Sequence, residues 1–410
     1  MVHRRKFAWL VALAALTAGG VLAPNTQADP PPKEPADAFQ GEYAGTFTPA
    51  EGKAVPAVAY VAAERRRVQS ETSYRVALKA VSRGLVEETV VGRGAKVTLS
   101  ADLRGQAEGG KVAFSGKGWT GQIADGKLSA EGKAGKFALA FTVRKSPTEL
   151  KPPPRGATVL LPYKEGQAPA TGEWANAKWP AFDDGSMMVQ GGDNRTKRQF
   201  TNFRLHAEFR IPMQSRGSGN SGFYLLDRYE VQVLDSFAKP PYKGGCAAIY
   251  QTFPPMVNAS LPPGRWQTVD IELFGPVLEG GKCVKLPVIT VVHNGILVHK
   301  DVAVPHATGN ARSRGHGAPG PIRLQDHGNP VRYRNIWVEE LSESKRPPAR
   351  RTASETPAKT KATSPTPGTA DSRRPVGISE DQWRLLQRAR RTGNKALIKE
   401  LEEKLKKGKR

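Results

Sequence analysis

The chain has 410 residues, with 62 Lys and Arg against 38 Asp and Glu, a formal charge of +24 and only 38% apolar residues. That length allows two or three domains with a sizeable core, but the apolar fraction and a mean hydropathy of −0.48 are low for a uniformly compact enzyme. Polar, unfolded segments therefore dilute a folded centre.

At the N-terminus, Arg4, Arg5 and Lys6 precede an apolar run from Phe7 to Leu16, and Thr26-Gln27-Ala28 supplies small residues for cleavage. Residues 1–28 read as an export signal, too short in its apolar part and too rich in Ala and Gly for a permanent membrane span. The adjacent arginines also permit a twin-arginine route, which leaves the export path open. The mature protein is expected to be periplasmic or extracellular, with no transmembrane segment. Residues 29–38 form a Pro-rich lead-in.

From Phe39 to Leu150, alternation at Tyr74, Val76 and Leu78, at Val97, Leu99, Ala101 and Leu103, and at Phe137, Leu139, Phe141 and Val143 predicts half-buried strands. Gly-rich turns separate them, so a small antiparallel β domain, sheet or barrel, is the natural reading. It shows no acid, base or ligand cluster. It reads as a binding or spacer module, spacer ahead.

Lys151-Pro152-Pro153-Pro154-Arg155 removes successive backbone donors and marks a domain boundary. Residues 156–341 again read as mainly β, with strands over 203–210, 229–234, 268–273, 288–293 and 333–341. Many strands and no βαβ spacing argue for two antiparallel sheets packed as a sandwich. Residues 342–378 turn to Pro, Ser, Thr, Ala and basic side chains, a disordered linker. Ser379-Glu380-Asp381-Gln382 then matches a helix capping box, and Gly393-Asn394 divides a short basic helical hairpin over 379–410.

From Ser342 onward, 19 Lys and Arg face 8 Asp and Glu, a net +11. A pI near 10.1 raises nucleic-acid binding. Export and the scarcity of aromatics in the tail argue against it and favour polyanionic envelope material as the partner, with a merely solubilising tail as the plain alternative. Cys246 and Cys283 can pair after export or remain as separate thiols. Neither has a second Cys or His at zinc-ligand spacing.

The stretch from Gly219 to Ser236 packs amide, hydroxyl, guanidinium and carboxylate groups into a predicted hairpin. Strand alternation puts Tyr229, Val231 and Val233 on one face and Glu230 with Gln232 on the other, which implies a wet groove. The next position on that face is Leu234, and Asp235 has the opposite parity unless a bulge turns it, so the face carries a single carboxylate.

These motifs, together with the Phe200 to Arg210 run, Cys246-Ala247-Ala248-Ile249-Tyr250, Trp266 to Ile271, His293-Asn294-Gly295 and Leu324-Gln325-Asp326-His327-Gly328, resemble the 3-keto-disaccharide hydrolase domain family over residues 156–341. The resemblance implies a concanavalin A-like jelly-roll sandwich and a carbohydrate substrate. A ketone acidifies the neighbouring ring proton, so one base suffices for elimination of the glycosidic oxygen followed by hydration. Glu230 is the expected base and His327 an acid or orienting group; Asn220, Gln232, Asp235, Gln325 and Asp326 are expected to place substrate, with the enolate stabilised by the amides. Asp326 also admits a divalent cation, the one cofactor the residues suggest, and no metal ligand set is defined. Arg228 and Arg334 read as surface charges, His206, His293 and His299 as structural, and Trp266 and Trp337 as buried core. A lectin-like glycan-binding module and an envelope scaffold are the competing functions. Neither needs a base at Glu230.

Overall fold

The computed structural model describes residues 37–64, 72–213 and 218–349. The expected signal, most of the Pro-rich lead-in and basic linker, and the helical hairpin lie outside the described residues.

Eight strands, β1 (Gly41–Pro49), β2 (Val55–Glu64), β3 (Ser73–Val86), β4 (Val90–Glu108), β5 (Lys111–Gly116), β6 (Trp119–Ala124), β7 (Lys127–Gly132) and β8 (Gly135–Thr142), pair antiparallel in chain order. β1 also pairs with β8, which closes a barrel and removes its edges. Alternate residues point inward: Tyr43 and Phe47 from β1, Tyr74, Val76 and Leu78 from β3, Phe137 and Leu139 from β8. Phe47 lies 4.7 Å from Phe137 and 6.2 Å from Trp119 between ring centres, so aromatic packing fills the interior. Two alternation positions fall outside it. Val97 is exposed because register shifts between Ala80 and Leu85 carry that part of the β3–β4 hairpin away from the barrel, and Val143 is exposed just past the end of β8.

Two further sheets bury a shared core. The larger contains β9 (Thr158–Leu161), β10 (Ala181–Phe182), β11 (Ser186–Met188), β13 (Asn202–Arg210), β16 (Trp266–Phe274), β19 (Val288–His293), β20 (Ile296–Ala303) and β22 (Arg332–Glu340). The smaller has the order β12 (Asn194–Arg195), β21 (Arg323–Leu324), β14 (Ser221–Leu225) and β15 (Tyr229–Val233), and a hairpin of β17 (Val277–Glu279) and β18 (Lys282–Lys285) stands apart. Phe203, Leu205, Ala207 and Phe209 of the larger sheet meet Phe223, Leu225, Tyr229, Val231 and Val233 of the smaller in one apolar cluster. The described residues are mainly β.

Barrel and sheets belong to one compact unit. Arg144, just after the barrel, reaches Glu42 Oε1 at 2.9 Å and the carbonyl of Ala259 at 3.0 Å, while Arg75 of β3 reaches the carbonyl of Ala238 at 2.8 Å. The expected linker from Ser342 begins differently from its composition. Glu343–Lys345 form a 3-10 turn, Glu343 accepts the Asn202 amide, and Arg346 donates to the Gly275 carbonyl, so this first part is docked on the larger sheet.

Candidate active site

β14 and β15 form the expected hairpin, with Gly222 opposite Gln232 and Tyr224 opposite Glu230. Leu226 and Asp227 in the connection adopt positive φ, the backbone twist that tight hairpins need. Tyr229, Val231 and Val233 enter the core and Glu230 and Gln232 take the other face, as strand parity requires. Gly222 makes room there: a Cβ on it would lie 2.5 Å from Glu230 Oε1. The outer edge of β15 is covered, since Gln232 exchanges backbone hydrogen bonds with Ala247 and Ala248 and Tyr250 N–H donates to the Glu230 carbonyl.

The expected wet groove is in fact a closed polar face. Glu230 is 1% exposed and Gln232 4%. The Tyr224 hydroxyl donates to Glu230 Oε2 at 2.7 Å, and Gln325 Nε2 approaches that hydroxyl at 3.4 Å. Thr308 Oγ1 accepts the Glu230 N–H at 2.8 Å, which pins the loop before β21 against β15. Burial pushes the Glu230 carboxyl up to about 7 against the Tyr224 hydrogen bond and the positive charge of Arg323, with the negative charge of Asp193 adding to the rise. A carboxyl held near neutrality can lose and regain a proton at working pH.

Three buried acceptors have no hydrogen-bond partner among the described residues: Gln232 Oε1 on the strand face of Glu230, Gln325 Oε1 beside it, and Asn220 Oδ1 just before β14 at the open end of the hairpin. Gln325 is tied to the hairpin by its N–H on the Gly222 carbonyl. An unpaired buried carbonyl oxygen is costly, and a hydroxyl-bearing ligand would satisfy it.

The other expected site residues sit differently. The Asp326 carboxylate accepts the backbone N–H of Gly192 at 2.7 Å and of Gly328 at 2.8 Å, so it shapes the loop that follows Gln325. His327 lies on the exposed bend of that loop. Asp235, beyond the end of β15, accepts the Phe237 N–H at 3.2 Å, and burial raises its carboxyl despite that hydrogen bond and nearby Lys239. Among the described residues no group of three or more His, Cys, Asp or Glu stands ready to hold a metal ion. Cys246 is buried, Cys283 is half-buried, and both are free thiols.

Residues 164–339 match the family model described as the 3-keto-alpha-glucoside-1,2-lyase-like domain. The chain belongs to this family through that domain. Three solved structures from Parabacteroides distasonis ATCC 8503, each described as a candidate glycosyl hydrolase, are similar to it. One is 34% identical, with a TM-score of 0.41, and covers 46% of this chain and 85% of its own. The others are 20% and 19% identical, with TM-scores of 0.33 and 0.34, and cover 46% of this chain and 100% and 94% of their own. No curated protein matches the chain.

Within the lyase-like domain, Tyr224, Asp193, Asp227 and Arg323 join the site without having been expected there. Arg323 donates from Nε to Asp227 Oδ1, from Nη1 to Asp193 Oδ2 at 2.7 Å and from Nη2 to the Asn310 carbonyl at 3.0 Å. Burial works to raise the Asp193 carboxyl, but the Asp326 N–H and the Arg323 charge outweigh it and hold it below the usual carboxylate range. Parity could have found Tyr224 and Arg323, which lie two residues from Gly222 and Gln325. Asp193 comes from a distant segment, and Asp227, though within the Gly219 to Ser236 stretch, gains its role only when Arg323 of β21 is brought against it.

The opposite face of the lyase-like domain overturns two readings. Arg334 is no surface charge: it is buried, with Nε on Glu208 Oε2 at 2.7 Å and Nη2 on Glu149 Oε1 at 3.0 Å. Trp266 is outside the core, only half-buried beneath the Arg334 guanidinium at 4.1 Å. Trp337 is buried and stacks on His206. His206 Nδ1 donates to Asp270 Oδ1 at 2.8 Å, and its Nε2 lies 3.6 Å from Glu208 Oε1. The connector from the barrel hangs on these acids, with Thr148 Oγ1 on Asp270 and the Leu150 N–H on Glu208. Its attachment is a built interface. His293 and His299 are buried neutral, the first pushed down to about 3 by burial and Arg144, the second to about 4 by burial. Arg228 is half-buried and fastens the Gly315 carbonyl at 3.0 Å.

Proposed function

We propose that the lyase-like domain cleaves the glycosidic bond of 3-keto-glycosides by elimination, with Glu230 as the carboxylate base. The observation that carries this reading is the Glu230 carboxyl itself, buried, pushed up to about 7, and sharing its strand face with the unpaired Gln232 Oε1. The family description, which speaks of a 1,2-lyase acting on 3-keto-alpha-glucosides, supports the same chemistry.

The C3 ketone acidifies the C2 proton. Ionised Glu230 takes that proton, the electron pair becomes the C1–C2 double bond, and the C1–O bond breaks with its electrons on the aglycone oxygen. That oxygen receives a proton from His327 or from the newly protonated Glu230. Addition of water across C1 and C2, hydroxyl to C1 and proton to C2, completes a net hydrolysis. Gln232, Gln325 and Asn220 accept sugar hydroxyl protons, while Asp326 and Asp235 act by shaping the loops beside the substrate. Asp193 and Asp227 are committed to Arg323, which leaves Glu230 to act as the base.

Incubation of the purified protein with 3-keto-glycosides and their unoxidised parents in deuterated water tests this. Aglycone release confined to the keto forms, with deuterium entering at C2, is expected. Equal release from the parents without exchange would contradict it.

The two sheets with one core support a concanavalin A-like jelly roll for this domain, with the barrel as spacer. Residues 1–28 direct export, and the basic tail holds the protein on polyanionic envelope material. N-terminal sequencing of the exported protein locates the cleavage. Deleting residues 350–410 is expected to abolish salt-dependent retention on a polyanion, and equal retention at low salt would remove the tether.

A further inference from the structure

Arg323, Tyr224 and Glu230 form one row across three adjacent strands. Tyr224 is the register partner of Arg323 in β21 and of Glu230 in β15. The Arg323 guanidinium lies 3.6 Å from the centre of the Tyr224 ring. It is held in that place on two carboxylates and a carbonyl, from the loop at Asp193, the hairpin connection at Asp227 and the strap at Asn310. At 2% exposure it is sealed from solvent. A desolvated cation on an aromatic face draws electron density from the ring, which makes the phenol a stronger hydrogen-bond donor.

We propose that Arg323 is a positioning residue for the base, acting through Tyr224: the clamped guanidinium fixes the ring and strengthens its donation to Glu230, which holds the carboxylate in one orientation. This rests on the reading of Glu230 as the base. A guanidinium that served only to tie Asp193 to Asp227 would have no need of the ring. The positive charge also opposes the upward push of burial on Glu230.

The test is a carbon-13 NMR titration of glutamate-labelled protein, with the Glu230 signal assigned by its loss in Glu230→Gln, alongside the pH profile of kcat/KM on a 3-keto-glycoside. Arg323→Lys keeps the charge but loses the planar stack, and Tyr224→Phe removes the donor. Each is expected to move the Glu230 titration upward by roughly one pH unit. The acid limb of the rate profile should move with it, and kcat should fall about tenfold with KM little changed. The double variant should add little to either single change, because both act on one hydrogen bond. An unmoved titration in Arg323→Lys, or full additivity in the double variant, overturns the proposal. If Arg323→Lys does not fold, Asp227→Asn loosens the Nε anchor while Asp193 still neutralises the cation; a smaller upward shift is expected there, and no shift overturns the proposal. Absence of any turnover by the parental protein, with the titration shifts intact, would instead overturn the reading of Glu230 as a base and uphold its coupling to Arg323.

Discussion

The Tyr224 hydroxyl donates to Glu230 Oε2 at 2.7 Å across the hairpin, yet burial still lifts the Glu230 carboxyl to about 7. The hydrogen bond and the charge of Arg323 therefore offset only part of the desolvation cost. That residual cost is a strain on the fold, and it connects the chemistry to stability.

In the unfolded chain Glu230 titrates near its ordinary 4.5, while in the native state it keeps its proton to about pH 7. Between these values the native state binds more protons than the unfolded one, so stability falls as pH rises through the window and the penalty is complete above it. Glu230→Gln removes the penalty. Urea denaturation should show a gain of about 1–3 kcal/mol at pH 8 and almost none at pH 4.5. The same change at both values would show that Glu230 is not held protonated by burial.

Gln232 presents an unpaired buried Oε1 on the same face. Truncation to Ala loses no internal hydrogen bond of that oxygen, so stability should change by less than about 1 kcal/mol, whereas KM for a keto-glycoside should rise roughly tenfold. An unchanged KM would take Gln232 out of substrate binding.

Glu208 is fully buried and accepts from Arg334, Asn335 and the Leu150 N–H. Glu208→Ala leaves Arg334 without its closest counter-charge and should cost about 3–5 kcal/mol in chemical denaturation. Burial works to raise the Glu208 carboxyl, but His206, Arg334 and Asn335 outweigh it and hold it below the carboxylate range. Its contribution is therefore present above that range and lost as pH falls through its depressed value. Burial lowers His206, but Asp270 and Glu208 outweigh it and raise it. The contribution of that charge is full below the ordinary histidine range and fades as pH rises through the elevated value. His206→Gln should accordingly destabilise more at pH 6 than at pH 9. An equal loss at both would mean that packing on Trp337, and not charge, is what His206 supplies.

Strand parity made the hairpin legible in the sequence, because alternation at Tyr229, Val231 and Val233 fixes where Glu230 and Gln232 must point. The barrel strands were legible for the same reason, though parity carried no information on closure, which depends on β1 meeting β8 across about a hundred residues. Burial of the polar face was hidden, since the covering groups Thr308 and Arg323 lie far along the chain. Arg334 looked like any exposed arginine until Glu149 and Glu208, from the connector and another strand, were seen to converge on it.

The most direct test of Glu230 as the base is the single-turnover rate on a 3-keto-glycoside, measured for the parental protein and Glu230→Gln from pH 5 to 9. The parental rate should rise with deprotonation of a group near pH 7, and the variant, which keeps the side chain's size but cannot accept the proton, should be slower by roughly 10²–10⁴-fold with substrate binding preserved. Parental rates in the variant would contradict the mechanism and put the lectin-like and scaffold readings ahead.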